Sequence, residues 1–383
     1  MLTPTLGIVT LIGIEKIVTF LVMLSILIVL HELGHFFVAR RSGVRVNEFA
    51  LGMGPKLAGW VSPRSGTLYS LRALPIGGFC LMEGEDNKTS EAEQQREFRA
   101  HETGRNAARS SANFQAKGPW VRLAIVVSGP AVNFLLSYVI LTAGALAFGV
   151  QSENVQPIVG EVVAGTPAAI AGIRAGDRIV ELNGRRVTSG KALVDTIHAS
   201  LGKRLDLVYE RDGVRTELYI TPKTCGPSRK NWGCIGFVPF PQYERVGLRA
   251  ALVQSGQQFA TIADQTLGSV VLIATQFSKY ANQVSGPIGI AQMSATVQDW
   301  GWGPYFSFAA LISFALGFFN LLPIPALDGG RAAFIVAELL RGKPVDPEKE
   351  AMVHIAGFAA LMALFLLIAF HDIARIATGN GVL

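Results

Sequence analysis

Long apolar runs alternate with polar stretches along this chain, and the run lengths set the first expectation. A helix needs about 20 mostly apolar residues to cross a bilayer. Four runs qualify: 17–39, closed by Arg40 and Arg41; 121–150; 305–322, closed by Pro323; and 351–370. Between the second and third, residues 154–224 change character. Strand-like runs fall at 158–163, 178–182, 205–210 and 214–220, and a helix fits 191–200. The last two runs flank Arg211-Asp212-Gly213, a hairpin turn signal. Two apolar pieces within 46–86, Val46 to Gly52 and Leu74 to Met82, read as short strands with glycine turns. They are too apolar for an aqueous loop, so they are expected to dip into the membrane. Non-helical backbone there must be buried in protein or line a cavity. Residues 86–116 read as a polar surface loop with some helix, and 243–282 as an amphipathic helix on the outer face, at the interface.

Composition agrees with the spans. Half the residues are hydrophobic and 16% are charged, where soluble domains carry about 25%. The formal charge of +6 matters through its placement. Arg40, Arg41, Arg45, Lys56, Arg64 and Arg72 follow the first span, more basic residues continue to Arg122, and Arg341 and Lys343 lie between the last two spans. Basic loops stay in the cytoplasm. That puts 40–120 and 323–350 inside, and the N-terminus, 151–304 and the C-terminus outside. The basic balance thus reads as flanks beside anionic membrane lipid, and no nucleic-acid module is recognisable. The first run is too long for a cleavable signal core and ends in arginines, not small residues. Three cysteines make neither a disulfide scaffold nor a Cys-type zinc site. Cys225 and Cys234 pair if they face an oxidising compartment, and otherwise stay thiols.

The chemistry concentrates in the first span, at His31-Glu32-Leu33-Gly34-His35. Helical residues four apart share a face, so His31 and His35 can present two imidazoles to one ion. Glu32 sits about 100° around the axis, where its carboxylate reaches the ion's open side as a general base. His-Glu-x-x-His is an established zinc-protease signature. Ionisable groups in an apolar span are costly and usually functional. Arg40 lies nine residues beyond His31, about 14 Å at helical rise, so the site falls below the cytoplasmic surface.

Two histidines leave a catalytic zinc one protein ligand short. His101 and His198 read as solvated, and His354 and His371 as interfacial side chains at the ends of the fourth span. Asp328 is the stronger candidate, following Asn320-Leu321-Leu322-Pro323-Ile324-Pro325-Ala326-Leu327 and preceding Gly329-Gly330. Prolines break the helix there, and glycines allow close backbone approach. Position alone leaves Asp328 as either the third ligand or a helix cap.

These motifs together resemble the site-2 protease family of intramembrane zinc metalloproteases, in its bacterial, regulator-of-sigma-E protease-like branch, over nearly the whole chain. His31 to His35 resembles the zinc motif, and Asn320 to Gly329 the motif Asn-x-x-Pro-x-Pro-x-Leu-Asp-Gly. Gly129-Pro130-Ala131-Val132-Asn133-Phe134, Pro75 to Phe79 and Ser285 to Ile290 resemble three further family segments. Gly165 to Gly184 resembles a PDZ domain of the bacterial protease type. The resemblance implies an α-helical polytopic membrane protein with four transmembrane helices, a membrane-associated β-hairpin and one inserted α+β PDZ domain. The expected bounds are 1–150 for the first two spans and hairpin, 151–226 for the PDZ domain, 227–304 for an outward-facing amphipathic linker, and 305–383 for the last two spans. Known Gram-negative members carry two PDZ domains in tandem, and only one is visible here.

It further implies Zn2+ on His31, His35 and Asp328, with Glu32 as general base, in a bacterial inner-membrane protein. The implied substrate is a single-pass transmembrane protein, such as a pre-trimmed anti-sigma factor, or a remnant signal peptide. Strand addition at 46–82 would hold an unwound substrate segment. Asn133 and Asn320, beside Pro323 and Pro325, either bind freed substrate backbone or bond between helices. The loop before Val159-Gly160 is the expected site for a peptide or protein ligand on the PDZ domain, unless that domain only obstructs access. A PDZ-bearing membrane adaptor with a silent protease site and a zinc transporter are the other classes. An adaptor would not need the intact His, Glu, His and Asp set, and a transporter would carry ionisable groups along a path.

Overall fold

The computed structural model describes residues 13–84, 112–151, 157–163, 165–225, 231–240, 243–276 and 286–377. Most of the expected polar loop, His101 and the end of the expected amphipathic helix lie outside them. Two compact units emerge: residues 1–141, 255–299 and 304–382 in one, and 142–254 in the other, apart from a few residues.

The first unit is built on helices α1 (Ile14–Arg41), α2 (Pro119–Phe148), α5 (Leu248–Thr275), α6 (Pro287–Asp299), α7 (Trp302–Leu321), α8 (Asp328–Arg341) and α9 (Pro347–Ala377). Four of them, α1, α2, α7 and the stretch Glu348–Ala374 of α9, are long and apolar enough to cross a membrane. Arg40 and Arg41 close α1 with positive charge at its negative dipole end. Small residues bring the helices together where water supplies no driving force. A Cβ at Gly34 would come within 2.6 Å of Ser128 O, and one at Gly317 within 2.9 Å of Pro130 O. Both α1 and α7 therefore cross α2 near its middle. Ser137 Oγ donates to Ala310 O, and Ser313 Oγ to Asn133 O, each at 2.8 Å. Of the segment expected to be an amphipathic helix from 243, residues Leu248–Thr275 form α5, while Pro287–Asp299 is a separate helix. Buried Asp372 of α9 caps that helix, accepting from Gly286 N at 3.2 Å and Gly289 N at 2.9 Å. The Gly286-Pro287-Ile288-Gly289 segment thus receives a cap from far along the chain.

Strands β1 (Val46–Val61) and β2 (Leu68–Met82) form the hairpin expected after the first span. Phe49 pairs with both Cys80 and Tyr69, and Ala50 with both Phe79 and Ser70, while Gly59 pairs with Ser70. The two strands bend into four segments, ordered 56–61, 68–72, 46–51 and 78–82. Gly52 and Gly77 turn the chain with φ of 85° and 78°, which side-chain-bearing residues rarely adopt. One part packs Val46, Phe49, Cys80 and Met82 against Phe36, Ile125 and Val126 of α1 and α2. Leu57, Trp60, Val61 and Leu74 are exposed, an apolar surface suited to lipid. Arg72 and Glu48 pair at 2.6 Å on this sheet, so neither stands as an isolated charge.

The second unit is the PDZ-like domain. It contains β3 (Val150–Gln151), β4 (Val159–Val162), α3 (Pro167–Ile170), β5 (Arg178–Leu182), β6 (Arg185–Arg186), α4 (Gly190–His198), β7 (Leu205–Arg211), β8 (Val214–Ile220), β9 (Lys223–Thr224), β10 (Gly233–Cys234), β11 (Phe237–Pro239) and β12 (Tyr243–Glu244). The main sheet runs β6-β5-β7-β8, and Ile179, Leu193, Leu205 and Leu207 fill its core. One expectation needs correction. The domain does not end at residue 226: β10 pairs with β9, β11 with β4 and β12 with β3. Strands of two or three residues show no readable period, so 233–244 has the pattern of a linker. The loop before Val159, expected to receive a peptide, lies mostly outside the described residues; Val159 and Gly160 themselves are covered on both sides. Val159 N donates to Asp177 O, Gly176 N donates to Val159 O, and β11 takes the other side. A Cβ on Gly160 would lie 3.1 Å from Phe240. The outer side of β4 is bridged at Ile158 to Arg178, whereas β11 has no second partner among the described strands. Cys225 and Cys234 are joined in a disulfide.

Asp177 anchors this unit. Its buried carboxylate accepts from Arg211 Nε and Nη2 and from Arg174 N, each at 2.7 Å. Burial alone would raise its pKa, but these donors outweigh it and hold the group below the usual carboxylate range. A depressed folded pKa adds stability above the unfolded value, and that stability disappears as pH falls through the folded one. Hydrogen exchange should therefore show protection in this unit falling below about pH 4. Asp177→Asn should cost about 2–3 kcal/mol at pH 7 and flatten that acid dependence.

Candidate metal centre

His31 and His35 face the same side of α1 from successive turns, both buried. Their Nε2 atoms are 3.2 Å apart. Asp328, the first residue of α8, places Oδ2 3.1 Å from His31 Nε2 and 3.3 Å from His35 Nε2. The sequence-predicted trio, nearly 300 residues apart at its extremes, thus closes into a triangle.

Proton positions tell what this triangle can hold. His35 Nδ1 lies 2.8 Å from Ile125 O. A carbonyl only accepts, so Nδ1 carries the proton and Nε2 of the neutral ring presents a lone pair. His31 Nδ1 lies 3.3 Å from the Asn133 amide, whose Oδ1 is buried without a partner. Turning the amide over lets Oδ1 accept from His31 Nδ1–H and satisfies both groups. His31 Nε2 is then also a lone pair. Asp328 Oδ2, itself buried without a donor, completes three converging acceptors. A bound metal cation would satisfy all three acceptors at once, where a proton on one imidazole would satisfy only one pair. Tetrahedral zinc with ligands at about 2.0–2.1 Å needs ligand separations of about 3.3 Å, which the triangle meets. Two imidazoles, one carboxylate and an open position suit a catalytic zinc.

Small residues make room. A Cβ at Gly129 of α2 would overlap His35 Nε2 and approach His31 Nε2. A Cβ at Gly329 would overlap Leu322 O, and one at Gly330 would overlap Ile324 O. The Asp-Gly-Gly sequence therefore lets the first turn of α8 pack on the loop before it. Glu32, His35 and Asp328 open onto a cavity of about 680 Å³. Phe79 to Met82, the edge segment of the sheet, form one wall, and Arg331, His354 and Phe358 line it further.

The remaining predicted residues divide. Asn133 is fully buried against His31, which favours the internal alternative over substrate contact. Asn320 is half-buried and Pro323 exposed, and neither lines the cavity, nor does Pro325. Val159 and Gly160 belong to the PDZ-like unit. Gly129, Ile125 O and His354 carry parts of the site that residue-by-residue reading misses. Gly129 stands in one of the family-like segments, but only the folded chain shows what it faces.

Residues 19–364 match the sequence pattern of Peptidase family M50. The chain belongs to that family. The M50 match spans all four apolar helices and the metal triangle, so the chain is a membrane metallopeptidase, as the resemblance implied. M50 relatives run end to end with it. The zinc metalloprotease RasP of Bacillus licheniformis is 32% identical, covering 94% of this chain and 99% of its own. The regulator of sigma-W protease RasP of Bacillus subtilis is 30% identical over 95% of this chain and 99% of its own. Among solved structures, the PDZ domain of an SdrC-like protein from Listeria monocytogenes is 24% identical, with a TM-score of 0.20, and aligns with 24% of this chain and 90% of its own.

Proposed function

We propose that this M50 peptidase is a zinc endopeptidase that cuts single-pass membrane proteins within or near the spanning segment. The observation that carries the reading is the triangle of His31, His35 and Asp328 beside Glu32, opening on a cavity walled by an edge strand. Bound there, zinc would polarise a carbonyl and acidify an adjacent water. Glu32 takes the proton as water attacks the carbonyl carbon, then delivers it to the leaving amine. Asn133 and Ile125 O keep both imidazoles in the ligating tautomer. A spanning substrate is a helix with its backbone internally bonded, so it must unwind before attack. The 78–82 edge offers backbone partners to the unwound strand.

The zinc site lies on the cytoplasmic side and the termini and PDZ-like unit outside, on the charge pattern, and the Cys225–Cys234 disulfide supports an oxidising compartment for that unit. There the open edge of β11, not β4, receives a peptide. A pre-trimmed anti-sigma factor is one such substrate, a reading supported by the sigma-W regulator named among the relatives, and a remnant signal peptide is the alternative. The adaptor class is disfavoured because the ligand set is intact.

Purified protein in liposomes should cleave a single-pass model substrate inside its apolar segment, stop on chelation and resume with zinc. Cleavage confined to the soluble tail would overturn the proposal.

A further inference from the structure

The loop that delivers Asp328 has few means of holding itself. Pro323 and Pro325 have no N–H to donate. Ile324 N donates to Leu322 O at 2.6 Å, and Leu327 N to Ile324 O at 3.2 Å. Ala326 N donates instead across to α9, where His354 Nδ1 accepts at 2.9 Å. Ala326 has φ of 76°, a left-handed conformation that residues with a Cβ seldom keep unless their surroundings impose it.

The surroundings do impose it, from two helices. On α9, Gly357 lies one turn beyond His354, and a Cβ there would overlap Pro325. On α8, the Phe334 ring lies 5.6 Å from the His354 ring. Accepting the Ala326 N–H requires a lone pair on Nδ1, so the hydrogen of the neutral ring is on Nε2, with Glu350 Oε1 3.9 Å away. His354 lines the same cavity as Glu32 and Asp328, a placement that no local pattern announces.

We propose that His354 is a positioning residue for the third metal ligand. By accepting the Ala326 N–H it fixes the loop in the conformation that aims Asp328 at His31 and His35. This rests on reading Asp328 as a zinc ligand, and the test separates the two.

Zinc retention against a graded chelator is measured on full-length protein in detergent, without reference to turnover. Asp328→Asn tests the ligand reading. If it keeps zinc as wild type does, that reading fails whatever His354 does. His354→Phe keeps an aromatic ring and removes the acceptor, while His354→Asn carries an amide oxygen near the Nδ1 position. The expected result is zinc affinity lower by about 10–100-fold in His354→Phe and His354→Ala, largely restored in His354→Asn. A purely space-filling role would give the opposite order, with Phe near wild type and Asn weak. Wild-type retention in His354→Phe would overturn the proposal. Should that variant not fold, equal zinc affinity in His354→Asn and His354→Ala would overturn it instead.

Discussion

A single methyl group at Gly129 is expected to empty the metal centre. Gly129→Ala should leave the protein folded in the membrane, with zinc per chain near zero and no detectable peptide hydrolysis. The added Cβ would overlap His35 Nε2 and approach His31 Nε2 within 2.8 Å, so the two ligands cannot keep their places. Neither can yield easily. His35 is tied through Nδ1 to Ile125 O, on the same helix as Gly129, and His31 is packed against Asn133. Overpacking costs typically about 1–3 kcal/mol, while alanine in a helix recovers about 1 kcal/mol over glycine. The global fold should therefore survive. Gly118→Ala is the matched control, since nothing lies within 4 Å of the position its Cβ would take. Zinc content by mass spectrometry, beside helical circular dichroism, reads the outcome. A Gly129→Ala protein with wild-type zinc would mean the triangle is not where the metal sits.

Much of this centre is legible in the amino-acid sequence. The four spans follow from apolar run length, because lipid tolerates little else. His31, Glu32 and His35 follow from helical geometry, since spacing by four is a local property that survives folding. Asp328 is a candidate but no more by position, because a carboxylate at a helix start is usually a cap. What brings it against His31 and His35 of α1 is the loop of Pro323 and Pro325 and the packing of Gly329 and Gly330.

The residues that pattern does not reveal are those whose roles depend on distant partners. His354 sits near a span end, where an interfacial position is the ordinary expectation. Its acceptor role needs Ala326, 28 residues earlier, in an unusual backbone state. Asp372 lies near the end of an apolar helix and caps α6 from 83 residues away. In the PDZ-like domain, strands of two or three residues leave no periodic trace. Periodicity therefore ends the domain too early, missing the strand β11 that pairs with β4. Short-range pattern thus carries the spans and two of the three residues of the metal triangle. Long-range pairing decides the rest.

In the proposed mechanism Glu32 is the general base and none of the three metal ligands, so its removal separates catalysis from metal binding. Glu32→Gln keeps the side chain's size and removes the proton acceptor. General acid–base groups contribute about 100- to 10,000-fold, and a residue serving both proton transfers belongs at the upper end. The direct measurement follows zinc per chain and cleavage of a single-pass model substrate together, in wild type and Glu32→Gln reconstituted in liposomes. The expected result is one zinc per chain in both proteins and cleavage reduced at least about 100-fold in the variant. Undiminished cleavage at full zinc occupancy would rule out Glu32 as the general base.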